Sequence, residues 1–410
     1  MISFSSAGFW ALVALCFLVY QQITPRTMRK IGLACINLLF LILIFYFEKK
    51  ELVSLLAFLT FQYWGLRVML LMPNRRHSIG LGLIASTLAF FLFFKYTLFQ
   101  HAMLAAFPEL QSLVQPLGFV GISFFSFRLI SLILDEMEEH DGEVGLDPCH
   151  MLNYLTFFPT WLSGPLDRYE NFVEHCEQSE PLHAREIYAA VFRIVLGAFK
   201  KLAIADTLLP LSLDSMSNLD VARFPLWKCA LSAYVYIFVL YIDFSGYSDM
   251  AIGISRLFGI QTPENFNFPL LSRNIQEFWS RWHISLTEWL RDYLFYPLLR
   301  ALTRLKWCPS VATYCVAFLV TFAIAGVWHG DGRNFLYFGL YQGVLFCAWY
   351  LFRRVAETHL SPAAHAAYNN SLIIRCAATF LTFNCYTVGL VLFTGKLSWF
   401  PAVWRGLTKS

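Results

Sequence analysis

Charged residues are scarce in this chain. Asp, Glu, Lys and Arg make up 14% of its 410 residues, whereas a soluble domain carries about 25%. Hydrophobic residues make up 58% and the mean hydropathy is +0.55, so polar side chains cannot cover the surface of a water-soluble fold. The composition predicts a multi-pass membrane protein.

Several chemical signatures are absent as well. The ten cysteines show no C-x-x-C spacing and lie mostly in or beside apolar segments, which is typical of small core residues rather than of disulfides or a zinc site. The chain has no H-E-x-x-H, no G-x-x-x-x-G-K-S/T and no G-x-S-x-G, so a metalloprotease, a P-loop enzyme and a serine hydrolase lose their usual support. The net charge of +4 is spread among loops, and we expect no nucleic-acid partner and no permanently bound metal or cofactor.

The sequence is rich in long apolar runs. A bilayer core about 30 Å thick needs about 20 helical residues, and ten segments reach or approach that length. These segments are 7–23, 31–47, 52–72, 79–99, 117–134, 187–205, 229–249, 310–328, 333–352 and 372–394. No Lys or Arg precedes the first run, so we expect a retained helix with its N-terminus outside rather than a signal peptide. No linker divides the chain, which favours one integral-membrane domain over 1–410.

Loop charges predict the orientation of the spans. The basic loops 24–30 and 73–77 are separated by two spans, so both are expected in the cytoplasm. Residues 251–310 carry seven bases against four acids, which places this stretch on the cytoplasmic side with amphipathic helices partly in the interface. The segment 135–147 carries seven acids, and a solvated acidic loop is the simpler interpretation.

Two segments carry residues that disfavour a regular span. Pro159, Gly164 and Pro165 fall within 153–172, so this aromatic segment is expected to re-enter the membrane or to lie along the interface. In 241–254, Gly246 is expected to interrupt an apolar run that carries Asp243. The carboxylates of Asp243 and Asp249 either cap backbone at a turn or serve function directly, and the sequence leaves both open.

Two histidines bracket the most informative stretch, 272–329. Apolar residues there recur at steps of three and four and place His283 on the apolar face of a predicted helix. That imidazole is either held by a fixed hydrogen bond or kept for chemistry. His329 ends an apolar span between Gly326 and Gly330, where packing gives little reason for a histidine. In a water-poor cavity, a neutral imidazole can take a proton from a hydroxyl and help it to attack an activated acyl group.

The motifs of this region resemble a known family. The run LYIDFSGYSDMAIGISRLFGIQTPENFNFPLLSRNIQEFWSRWHISLTEWLRDYLFYPL is followed by GVWHG and NFLYFGLYQG. Together they resemble the membrane-bound O-acyltransferase family over 152–352, and its bacterial branch that acylates cell-surface polymers in particular. The resemblance implies an all-α polytopic fold, a ring of the ten or so spans with re-entrant and interfacial helices around a central funnel.

The resemblance also implies roles for residues. The family's catalytic histidine falls on His329, and its second histidine, in W-H-I-S, falls on His283 at the donor side. Further candidates for binding substrate or lining the tunnel are Asp243, Trp282, Arg281, Trp328, Arg168 and Asn334.

The implied activity is O-acyl transfer in a bacterial inner or plasma membrane. The expected co-substrate is a cytoplasmic thioester, either on the phosphopantetheine of an acyl carrier protein or as acetyl-CoA. The expected acceptor is a hydroxyl of an extracytoplasmic polymer or its carrier, and a periplasmic or extracellular protein is a further expected partner besides membrane lipid. FFPTWLSGPLDRY and the chain length favour D-alanyl transfer, whereas RDYLFYPL is closer to the acetylating branch. A transporter or flippase without chemistry, and a scaffold that recruits acylation partners, stay open as alternatives.

Overall fold

Helices account for almost all of the secondary structure in the part of the chain described here. The computed structural model describes residues 6–107, 120–138, 146–305, 310–361, 370–397 and 399–401. Within these ranges the β-structure is one isolated bridge between Phe266 and Trp282. The helices of the first half are α1 Ala7–Gln21, α2 Arg26–Ile44, α3 Lys49–Leu71, α4 Arg76–Lys95, α5 Thr97–Ala106, α6 Ile122–Met137, α7 Pro148–Thr156, α8 Tyr169–Gln178 and α9 Ala184–Ala198. Those of the second half are α10 Asp206–Leu208, α11 Asn218–Arg223, α12 Leu226–Leu257, α13 Ile275–Trp279, α14 Ile284–Leu290, α15 Tyr296–Arg304, α16 Ser310–His329, α17 Arg333–His359 and α18 Leu372–Thr394.

Membrane spans can be assigned by length and composition. Among the described residues, seven helical segments are long and apolar enough to cross a bilayer: Arg26–Ile44, Lys49–Leu71, Pro73–Lys95, Trp227–Leu257, Ser310–His329, Arg333–His359 and Leu372–Thr394. The predicted all-α polytopic membrane protein is therefore confirmed. Two other predicted spans form shorter helices, since α1 has 15 residues and α6 has 16. The predicted span 187–205 is helical throughout, because α9 continues through a π-helical segment, Phe199–Ala205, into α10. The ring and its funnel stay predictions.

The chain forms two compact units. One comprises Met1–Leu196 and Ser248–Pro263, and the other comprises Gly197–Tyr247 and Glu264–Ser410, so that α12 contributes to both. The single domain expected over 1–410 stays a prediction.

The first unit explains how a broken segment is kept among apolar helices. After α7 the chain forms a short 3₁₀ turn at Phe158–Thr160 and then runs without helix to Arg168, as Pro159, Gly164 and Pro165 predicted. The buried Asn37 of α2 accepts a hydrogen bond from the backbone N–H of Phe158 at 3.1 Å. The buried guanidinium of Arg128 donates to the carbonyls of Tyr154 and Thr160, at 3.1 Å each. Polar side chains thus satisfy backbone that the break leaves without helical partners.

The second unit is organised by a close crossing of α16 and α17. A Cβ added to Gly339 would lie 2.2 Å from the carbonyl oxygen of Phe322, and one added to Gly326 would lie 2.4 Å from that of Phe335. Glycine lets the two backbones touch where any side chain would hold them apart. This contact fixes the end of α16 that carries His329.

Two expectations from the sequence are wrong. Gly246 does not interrupt the apolar run, because α12 continues through it to Leu257. Gly246 instead gives room to a neighbouring backbone: a Cβ there would lie 2.7 Å from the carbonyl oxygen of Gly197. The helix expected around His283 is not continuous either, since α13 ends at Trp279 and α14 begins at Ile284. The acidic segment 135–147 lies in part outside the described residues.

Candidate active site

His283 lies at the turn between α13 and α14. Its backbone is left-handed, with φ of 44°, and it is the N-cap residue of α14. The residue is 5% exposed, so the predicted burial is confirmed although the helical phase that predicted it is broken. The edge of its ring meets Phe244 of α12, with the centroids 4.7 Å apart and the planes at 88°. The imidazole is therefore buried against an aromatic ring.

A single amide oxygen orients the His283 ring. Asn265 Oδ1 lies 3.1 Å from His283 Nδ1 and accepts the hydroxyl hydrogen of Ser285 at 2.9 Å. Because this oxygen can only accept, Nδ1 carries the proton of the neutral imidazole and Nε2 carries the lone pair. The backbone carbonyl of Asn265 also accepts from the N–H of Ile284 at 3.0 Å, which holds the two segments in register.

The environment of His283 keeps it neutral. Burial, and to a smaller extent the nearby His329, lowers the pKa of His283 from 6.5 to about 3. Desolvation disfavours the imidazolium, and a proton on His329 would add repulsion. Such a weak base is a poor proton acceptor for a hydroxyl at neutral pH. His283 therefore fits a hydrogen-bonding role better than the role of general base.

His329 is the last residue of α16, at the foot of an apolar span. Its ring lies 4.9 Å from that of Phe393 at 87° and 4.5 Å from that of its neighbour Trp328, measured between centroids. Phe338 of α17 is 6.2 Å away. The side chain is exposed, and the water-poor cavity expected around it stays a prediction. The imidazole thus contacts aromatic rings and is also accessible.

Asn334 is bonded to Phe393, the residue whose ring packs against His329. Its side-chain Nδ2 donates to the backbone carbonyl of Phe393 at 2.6 Å. Phe393 lies in the last turn of α18, where carbonyls have no helical donor, so the amide supplies the missing partner. This bond joins the start of α17 to the end of α18, and the expected role of Asn334 in binding substrate or lining the tunnel stays a prediction.

The two histidines are connected by a buried aromatic cluster. Trp282 is stacked on Phe278 at 5.6 Å and lies 5.5 Å from Tyr386. Phe278 approaches Tyr386 to 3.9 Å, and Trp279 donates from its indole nitrogen to Gln342 at 3.3 Å. Phe338, which lies beside His329, belongs to the same core. The predicted role of Trp282 in lining a tunnel stays a prediction; its ring is 5% exposed.

The remaining candidates lie in ion pairs or in the other unit. Asp243 is in the interior of α12 and pairs with Lys201, so it caps no turn. Asp249 likewise pairs with Arg193, within the first unit, at 3.0 Å. Arg281 pairs with Glu277 at 2.7 Å. Arg168 precedes α8 in the first unit, and nothing places it beside the histidines.

The sequence interpretation missed Asn265, Tyr386 and Phe393. Asn265 lies in the run PENFNFPL, where a polar amide next to an aromatic residue was the available signal. Tyr386 and Phe393 occur in an ordinary apolar span, and nothing in their local sequence distinguishes them from lipid-facing residues.

Apolar spans, with two histidines on one unit, are the features of a polytopic membrane enzyme. The model of the membrane-bound O-acyltransferase family matches residues 4–388, so the chain belongs to that family. The match extends well beyond the expected 152–352 on both sides. The predicted class, a multi-pass membrane acyltransferase, is confirmed.

Curated relatives come from both acylating branches. A teichoic acid D-alanyltransferase from Bacillus subtilis is 32% identical over 288 residues, which cover 68% of this chain and 69% of the relative. A peptidoglycan O-acetyltransferase from Helicobacter pylori is 32% identical over 386 residues, covering 86% and 68%. A probable alginate O-acetylase from Azotobacter vinelandii is 31% identical over 372 residues, covering 88% and 70%. Identity therefore does not separate the D-alanylating from the acetylating branch.

Proposed function

We propose that this chain transfers an acyl group from a thioester to a hydroxyl of a cell-envelope polymer, with His329 as the general base. Family membership supports acyl transfer over a transporter or a scaffold without chemistry. The observation that carries the assignment of the base is the contrast between the two imidazoles. His329 is accessible, whereas His283 is buried and has a pKa of about 3.

The proposed reaction needs one proton acceptor. The imidazole of His329 takes the proton of the acceptor hydroxyl while the hydroxyl oxygen attacks the thioester carbonyl. The tetrahedral intermediate collapses, the C–S bond breaks, and the thiolate leaves with the proton that His329 held. An ester and a free thiol result. The thiolate is a good leaving group, so the chemistry requires little beyond the base and the positioning of the two substrates.

His283 is proposed to position the donor. Its Nδ1 proton is engaged by Asn265, so Nε2 presents a lone pair to a donor N–H or O–H. The phosphopantetheine arm and CoA both carry amide N–H groups that match such an acceptor. This role needs a neutral ring, which burial maintains.

Donor and acceptor follow from the two groups of relatives. If the chain transfers D-alanine, as the name of one group of relatives states, we propose a D-alanyl thioester on an acyl carrier protein as donor; if it transfers acetyl groups, we propose acetyl-CoA. Both donors are anionic and suit the basic stretch 251–310 on the cytoplasmic side. The acceptor is proposed outside, with or without an extracytoplasmic partner protein, in a bacterial inner or plasma membrane with the N-terminus outside.

The decisive experiment replaces His329 by Ala, with His359→Ala as the matched control at an exposed histidine of α17. Purified variants are given D-alanyl-carrier protein or acetyl-CoA, and free thiol release is followed with the polymer acceptor. Loss of the base should reduce turnover by about 100-fold or more while the control stays at the wild-type rate. Full activity in the His329 variant would refute the assignment.

Mass spectrometry of the ester-linked group on the polymer identifies the acyl group. Thiol release from one donor only, matched by the same group on the polymer, assigns the branch. Acceptor transport without thiol release would instead support the flippase.

A further inference from the structure

Two neighbouring grooves open on the surface of the second unit. The larger, of about 880 Å³, lies between α17 and α18, and its apolar walls include Leu345, Trp349, Phe352, Ala378 and Leu381. The smaller, of about 710 Å³, has apolar walls that include Leu270, Leu271, Leu372, Phe380 and Phe383. Arg273 and Arg375 line both grooves. We call the pair the twin groove.

The junction of the twin groove carries excess positive charge. Glu277 is shared by two cations, since its carboxylate lies 2.7 Å from Arg281 and 3.4 Å from Arg273. No carboxylate of the described residues lies within ion-pair distance of the Arg375 guanidinium, which is exposed. Glu277 thus pairs with two guanidinium groups of the smaller groove, and the guanidinium of Arg375 adds a further positive charge that this carboxylate does not pair. The site attracts an anion that can be bound by two arginines.

The walls favour a ligand with hydrocarbon chains. Leu372 is 71% exposed, Phe380 69% and Leu381 64%, on helices that cross the membrane. A soluble phosphate ester would gain nothing from these walls, whereas acyl chains would cover them. Basic pockets between membrane helices are a recognised binding mode for anionic lipid headgroups.

We propose that a phospholipid with an anionic headgroup binds in the twin groove. Its phosphate lies between Arg273 and Arg375, and one acyl chain occupies each groove. Arg273 immediately precedes α13, and α13 leads through Trp279 to the turn that carries His283. A lipid held at Arg273 therefore braces the segment that positions His283. The binding itself does not depend on the proposed acyl transfer.

Native mass spectrometry of the purified full-length chain tests the proposal. The probes are phosphatidylglycerol, phosphatidylcholine with the same chains, and glycerol 3-phosphate. Phosphatidylglycerol should be retained at one per chain and phosphatidylcholine much less. Arg375→Gln should reduce the retention by about tenfold or more, because a charge-assisted hydrogen bond to the phosphate is lost. Arg354→Gln is the matched control, since Arg354 is an exposed arginine near the C-terminal end of α17 that lines neither groove.

A second variant tests the walls without changing charge. Ala378→Trp fills the larger groove and should also reduce retention, while the thermal unfolding of both variants stays near that of the wild type. Equal retention of the two phospholipids, unchanged retention in Arg375→Gln, or displacement of the lipid by glycerol 3-phosphate alone would each overturn the proposal.

Discussion

Replacing Asn265 by Ala removes the one oxygen that two buried donors share. His283 Nδ1 and the Ser285 hydroxyl both donate to Asn265 Oδ1, at 3.1 Å and 2.9 Å, and all three residues are at most 5% exposed. The change removes the acceptor of two buried hydrogen bonds, each with a net worth of about 0.5–1.5 kcal/mol, so it should lower the free energy of unfolding by about 1–3 kcal/mol. The backbone bond from Ile284 to Asn265 is retained in the variant, so the two segments keep their register.

The matched control is Ser285→Ala. It removes a donor but leaves the Asn265 oxygen bonded to His283, so its cost should be that of one net hydrogen bond, about 0.5–1.5 kcal/mol. Unfolding is measured in detergent micelles by titration with denaturant, and thioester turnover is measured on the same preparations. In Asn265→Ala the imidazole loses its fixed orientation, so turnover should fall more than in Ser285→Ala. A loss of stability no larger than that of the control would contradict the shared-acceptor argument.

Three further predictions test other parts of the second unit and a glycine of the first. His283 has a pKa of about 3 when folded and 6.5 when unfolded, so the unfolded chain binds the extra proton between these values and stability falls as the pH drops below 6.5. The loss at pH 5 should be about 2 kcal/mol and should disappear from the pH dependence of unfolding in His283→Asn. Gly339→Ala places a Cβ 2.2 Å from a carbonyl oxygen, so it should lower the free energy of unfolding by about 1–3 kcal/mol and reduce turnover. The control is Gly82→Ala in α4, where the added Cβ meets open space and should not destabilise the protein. Equal thermal stability of the two variants would contradict this argument. A double-mutant cycle of Asp243→Asn and Lys201→Met should give a coupling of about 0.5–1 kcal/mol, because the pair is partly exposed, and zero coupling would show that the ion pair contributes nothing.

The sequence was informative wherever a local pattern has one physical cause. The shortage of charge leaves no alternative to lipid as solvent, and seven of the ten predicted spans are found as helices of spanning length. Gly326 and Gly330 flank His329 in the sequence, and Gly326 lies against the backbone of α17, as its lack of a side chain allows. The pattern around His283 predicted its burial because Trp279 and Trp282, which are also buried, mark the same face.

The errors have a common physical origin in partners that are distant along the chain. Gly246 suggested a helix break, yet its lack of a side chain accommodates the carbonyl of Gly197, which no local pattern reveals. For Asp243 the sequence left open whether the carboxylate caps a turn or serves function. The cation that pairs with it, Lys201, lies 42 residues earlier in the chain. The acceptor that orients His283 is 18 residues away in a non-helical segment. Such contacts depend on tertiary packing rather than on periodicity.

The left-handed backbone at His283 restricts what can replace it. Few residues other than Gly, Asn and Asp adopt such a conformation readily, so a variant at this position is selected for main-chain geometry as well as for the imidazole. An alanine substitution there would combine two effects: the free-energy cost of placing alanine in the left-handed conformation and the loss of the imidazole. Natural variation that keeps histidine at 283 would carry the same ambiguity, whereas activity retained by Gly but lost by Ala would assign the constraint to the peptide backbone.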